Sequence, residues 1–154
     1  MPRKPKVTKF DKKNTKDFDQ KIQHMNGIVL FHHPGCIHCI MMKPKWDMMK
    51  KKLNTGGDIM EVNVTALEES NSPIRNEVHA YPMIVRVENG KIKEHFKEER
   101  NIDNMLKFVS HHLNDSNKLD YNYKINHGKL KKITKKRKIT KKRKITKKRK
   151  TRKM

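Results

Sequence analysis

Along residues 7–113 the spacing of apolar side chains switches between the short runs of strands and the three-to-four spacing of helices. Residues 7–10 read as a short first strand. From 14 to 25, Phe18, Ile22 and Met25 share one helical face, and Asn26-Gly27 is expected to stop that helix. Ile28, Val29, Leu30 and Phe31 form an uninterrupted apolar run, as in a central strand covered on both faces. Over 36–53, Met42, Trp46, Met49 and Leu53 make the buried stripe of a second helix, which Pro44 is expected to kink. Residues 59–64 predict another strand, followed to His79 by an irregular, partly helical stretch that Pro73 limits. Residues 83–87 and 91–96 flank Asn89-Gly90, a strong signal for a type I′ hairpin. Ile102, Met105, Leu106, Val109 and Leu113 then form one amphipathic stripe. The predicted order is β-α-β-α-β-α-β-β-α, an α/β class fold.

A chain of 154 residues accommodates one core plus extensions, since a useful core needs on the order of 100 residues. Charge divides it further. Residues 1–121 carry 21 Lys and Arg against all 16 acids, whereas 122–154 carry 18 Lys and Arg and no acid. The hexad Lys-Lys-Arg-Lys-Ile-Thr fills 135–140 and 141–146 and loses its Ile at 147–151. Such a repeat has little to bury and repels itself, so a disordered tail is expected. The domain reading is a basic arm over 1–6, a folded domain over 7–114 and a polybasic tail over 115–154. Nucleic acid is the leading partner for residues 129–154, through counterion release. Without aromatics beyond Tyr123, that binding is expected to be sequence-independent and salt-sensitive. A nuclear localisation signal, a tether to acidic membranes or proteins, and a plain solvated charge run are the alternatives.

No apolar run approaches the roughly 20 residues of a membrane span, and the basic start has no apolar segment behind it. The expectation is therefore no transmembrane segment, no signal peptide and an intracellular, not secreted, protein. The only two cysteines, Cys36 and Cys39, leave none for a structural disulfide framework. Cys-Ile-His-Cys opens a helix directly after a strand. There the orphan amide donors and the helix dipole favour a thiolate at Cys36, and Cys39, a turn further in, can resolve a mixed disulfide without any cofactor. His38 between them would add to that effect as an imidazolium. With His32 and His33 nearby, the same pair is also compatible with a zinc site, against which stands the lack of a second ligand pair at suitable spacing.

The segment Phe31-His-His-Pro-Gly-Cys-Ile-His-Cys-Ile-Met-Met-Lys-Pro-Lys-Trp46 closely resembles the active site of thioredoxins, and above all of protein disulfide isomerase-type domains, which also place His before the second cysteine. Ala80-Tyr-Pro-Met-Ile-Val85 resembles the family's cis-proline segment, and Glu88-Asn-Gly-Lys91 its hairpin. The resemblance covers roughly 7–114. It implies a thioredoxin fold, a central mixed sheet of four to five strands flanked by helices, acting on protein thiols and disulfides. It also implies that Cys36 is the nucleophile and Cys39 the resolving thiol, that Pro82 faces the pair, and that Arg100 eases deprotonation of Cys39. Three positions depart from the pattern. Leu30 stands where the family usually keeps a buried acid that shuttles the resolving thiol's proton, so resolution is expected to be slower or to use another base. Gly35 replaces a Trp, which is expected to loosen the loop, and Met83 replaces a Thr. His38 points to the oxidising end of a range from about −270 mV in thioredoxin to about −180 mV in the isomerase.

Met42 and Met49 read as core, Met41 as part of an apolar rim beside Cys36, His32 and His33 as loop residues, and His111 and His112 as cations at a helix end. The leading function is a monomeric thiol-disulfide oxidoreductase or isomerase tethered to polyanions. The competing one is a redox-weak, thioredoxin-like binding or packaging protein whose tail carries the function. The Lys-, Asn- and Ile-rich composition and basic repeats resemble proteins of large DNA viruses, with the nucleus, viral factory or virion as the expected location.

Overall fold

A computed structural model describes residues 3–114; the expected tail lies outside the described residues. The elements are β1 (Lys6–Phe10), α1 (Thr15–Ile22), β2 (Asn26–His32), α2 (Ile37–Lys52), β3 (Asp58–Asn63), α3 (Val64–Glu68), β4 (Met83–Glu88) and β5 (Lys91–His95). A last helix, α4, covers 102–114. Short 3-10 turns at Lys12–Asn14 and Pro73–Glu77 complete the order expected from the sequence. No helix among the described residues is long and apolar enough to cross a membrane.

The five strands form one sheet in the order β1-β3-β2-β4-β5. β1 and β2 run parallel to β3, while β4 is antiparallel to both β2 and β5. β2 is central and apolar on both faces, so its alternate residues feed two cores. Val29 and Phe31 join Phe18, Ile22, Met60 and Val62 under α1 and α3. Ile28 and Leu30 join Met42, Trp46, Met49 and Met105 under α2 and α4. Each large apolar side chain so enclosed contributes roughly 1.5–3 kcal/mol, which holds both helical layers to the sheet.

One boundary differs from expectation. α1 ends at Ile22, and Asn26-Gly27, expected to stop the helix, instead opens β2. The reason is a close approach: a Cβ at Gly27 would run into the main-chain carbonyl of Asp58 on β3, so glycine is needed inside the strand. Asn89 and Gly90 both have positive φ, 49° and 76°, as a type I′ turn requires. The outer strands are strongly charged: Lys6 and Lys9 stand exposed on β1, and Lys91, Lys93, Glu94 and His95 on β5.

Candidate active site

β2 ends at His32, and after Pro34 and Gly35 the chain turns into α2 with Cys36 as the N-cap. The turn is tied down by His33. Its N–H donates to Cys39 Sγ at 3.5 Å, its carbonyl accepts from Cys36 N–H at 3.2 Å, and its Nδ1 accepts from Gly35 N–H at 2.9 Å. The loosening expected from Gly35 is thus countered by its neighbour, whose ring also packs edge-on against Tyr81.

Tyr81-Pro82 is a cis peptide bond, and it brings the Tyr81 carbonyl to the cysteines: the Cys36 thiol donates to it at 3.4 Å. Pro82 is buried behind that carbonyl. Arg100 lies exposed in the loop before α4, and its Nη2 donates to the Pro82 carbonyl at 3.4 Å. Cys36, Cys39, Pro82 and Arg100 therefore meet in one place. His38 stands apart, because its ring points to solvent and what position 38 gives Cys36 is a main-chain N–H.

The two thiols are pushed in opposite directions. The main-chain N–H of Cys39 is the largest influence lowering the pKa of Cys36; desolvation, next in size, opposes it, and the Cys39 thiol, the His38 N–H and the Arg100 charge reinforce it. Burial pushes Cys39 up, and the neighbouring Cys36 adds to this against the His33 N–H and Arg100. Both cysteines are free thiols. The arrangement favours a thiolate at Cys36 over one at Cys39.

Ile37, Ile40 and Met41 form an exposed apolar rim on α2 around the pair. On the inner side, a cavity of about 460 Å³ is lined by Cys39, His32, Lys43, Trp46, Glu61 and Asn63, among others. Glu61 was not singled out from sequence. It is buried on β3 beside Leu30, accepts from Trp46 Nε1 at 2.8 Å and from Lys50 Nζ, and lies 3.8 Å from Lys9 Nζ. An acid set between the apolar residues Met60 and Val62 in the middle of a strand was the available signal. His32, read as a loop residue, is instead the half-buried last residue of β2. His112, read as a cation at a helix end, is buried, with Nε2 3.2 Å from Glu94. Among the described residues, no group of three or more His, Cys, Asp or Glu could hold a metal ion.

A mixed five-stranded sheet that sets a Cys-x-x-C pair at a helix start against a cis-proline carbonyl defines a dithiol domain of the thioredoxin-fold class. The chain belongs to the thioredoxin family, whose family model, described as Thioredoxin, matches residues 9–111. A thioredoxin domain-containing protein 5 homolog of Drosophila melanogaster is 26% identical over 102 residues, 62% of this chain and 24% of that protein. The chain thus spans about a quarter of that relative's length. Among solved structures, the J-Trx1 fragment of ERdj5 superposes with a TM-score of 0.54 at 20% identity, covering 70% of this chain and 50% of that one. The first two thioredoxin domains of Naumovozyma dairenensis Eps1p align at 18% identity with a TM-score of 0.49, over 66% of this chain and 39% of that one.

Proposed function

We propose that the protein is a thiol-disulfide oxidoreductase of the disulfide isomerase kind. The observation that carries this reading is a pair of thiols at a helix start, Cys36 beside the Tyr81 carbonyl of the cis-proline segment and Cys39 buried behind it, with main-chain N–H groups lowering the pKa of the first and burial raising that of the second. In the reaction, the Cys36 thiolate attacks a substrate disulfide, and one substrate sulfur leaves as thiolate while the other stays bound to Cys36. Cys39, once deprotonated, attacks Cys36 Sγ, closes the Cys36–Cys39 disulfide and expels the second substrate thiolate, so two electrons pass to the substrate. The same steps in reverse donate a disulfide. The Tyr81 carbonyl, held beside Cys36 by the cis-proline segment, offers an acceptor to an incoming substrate strand, and Arg100 favours both thiolates.

The lowered Cys36 pKa supports the oxidising direction, because it stabilises the reduced form of the domain and makes its disulfide the readier one to give up. Residues 129–154 are proposed to tether this activity to nucleic acid, and so to an intracellular, nucleic-acid-rich site such as a nucleus, a viral factory or a virion. The test is trapping. Cys39→Ser should accumulate mixed disulfides with protein substrates, Cys36→Ser should trap none and lose insulin reduction and the refolding of scrambled substrates, and equilibration with glutathione should give a potential nearer about −180 than about −270 mV. Equal activity of wild type and Cys36→Ser would refute the reading.

A further inference from the structure

The cavity behind the cysteines is lined by several ionisable side chains that the reaction above leaves unused, and two of them stand on neighbouring strands of the sheet. His32, two residues beyond Leu30 on β2, projects towards the face that α2 covers, and Glu61, two residues beyond Ile59 on β3, projects to the same face. Both line the cavity that Cys39 lines. We propose that His32 accepts the proton of Cys39 when the mixed disulfide is resolved, and that the Glu61 carboxylate steadies the imidazolium so formed. This rests on the thiol-disulfide reading and supplies the step that reading leaves open, namely how a buried thiol loses its proton.

The other bases near the pair are poorly placed. Leu30 has no proton to exchange. His33 Nδ1 already accepts from Gly35, and the His38 ring faces solvent. Burial pushes the Glu61 carboxyl up, but the hydrogen bonds from Lys50 and Trp46 and the charges of Lys50 and Lys9 outweigh it, so it stays ionised and is a weak base. His32 is different. Burial lowers its pKa below the ordinary 6.5, Glu61 opposes this, and Lys43 and Lys9 add to the lowering, so at neutral pH it offers an unprotonated nitrogen. The groups sharing its cavity are Lys9 on β1, Asp11 just after β1, Glu61 on β3, and Cys39 and Lys43 on α2, with His33 next in the chain. Much of the wall is apolar, but His32, Glu61, Asn63 and Lys43 put polar atoms on it, and the space is far larger than the roughly 15 Å³ that one water needs, so a bridging water held by those groups can carry the proton where the two side chains do not touch.

The step balances. The proton leaves Cys39 Sγ for the His32 imidazole, and the sulfur's electron pair forms the bond to Cys36 Sγ. The bond from Cys36 to the substrate breaks, and its electron pair leaves on the substrate thiolate, which then takes a proton from His32 or from solvent.

The experiment uses the full chain and dithiobis-nitrobenzoate, which releases one coloured thiolate when Cys36 attacks and a second when Cys39 resolves. In stopped flow, His32→Gln should slow the second phase about 100-fold at neutral pH, with the first phase within about twofold of wild type. The wild-type second phase should be level above the His32 ionisation and fall below it. That of His32→Gln should climb about tenfold per pH unit with the Cys39 thiolate population, and added imidazole should accelerate His32→Ala. A second phase equal in rate and pH profile between wild type and His32→Gln overturns the proposal while leaving the oxidoreductase reading intact. A wild type that releases no second thiolate, or a Cys36→Ser that keeps the first phase, overturns that reading itself. Should the variants misfold, a wild-type second phase climbing without a break from about pH 5 to pH 9 refutes the role of His32.

Discussion

Glu61 is an acid among apolar neighbours, with Met60 and Val62 beside it all but sealed from solvent. It persists there because Trp46 and Lys50 both donate to it. Glu61→Leu would leave a buried indole N–H and a half-buried ammonium without that acceptor, at a cost of about 3 kcal/mol in chemical denaturation. Glu61→Gln, which still accepts from Trp46, should cost less. Because the folded carboxyl titrates below its ordinary 4.5, the stability it lends is fully present above that value and disappears as pH falls through the folded pKa. Thermal melting between about pH 3 and pH 7 should therefore show less acid-induced loss in Glu61→Gln than in wild type. Cys36 and Cys39 stood out in the sequence by residue type and local spacing, and Pro82 through the resemblance of its segment to the family's cis-proline segment. Glu61 and His32 did not, because their importance comes from cross-strand register and a shared cavity, which no local pattern encodes.

Among the elements, the strands and helices were legible wherever one periodicity ran unbroken, as in β2, α2, β4 and the last helix. The end of α1 was misjudged for a physical reason: Asn-Gly is a helix stop by local propensity, but the pairing of β2 with β3 recruits it into the sheet. Gly27→Ala should test this directly. Its methyl group would press on the Asp58 carbonyl and force β2 and β3 apart, lowering stability by about 2–3 kcal/mol with a matching drop in denaturation midpoint. Since β2 leads into the cysteine turn, the same variant should also speed alkylation of the buried Cys39.

On the scale of the whole molecule, the hydrogen bonds at the cysteine pair are made by the turn after β2, the cis-proline segment and the loop before α4. A chain ending at residue 114 should therefore keep the thiol reactions near wild-type rates while losing retention on immobilised DNA at low salt. If retention survives truncation, residues 129–154 are not the tether. The sheet carries a further consequence at its borders. Lysines stand exposed on both outer strands, so a second copy laying its own edge alongside would bring ammonium groups close together. Growth of the sheet by adding strands from another chain is discouraged at either end, which sets the edges apart from the Tyr81 carbonyl beside Cys36, the place proposed for a substrate strand to pair.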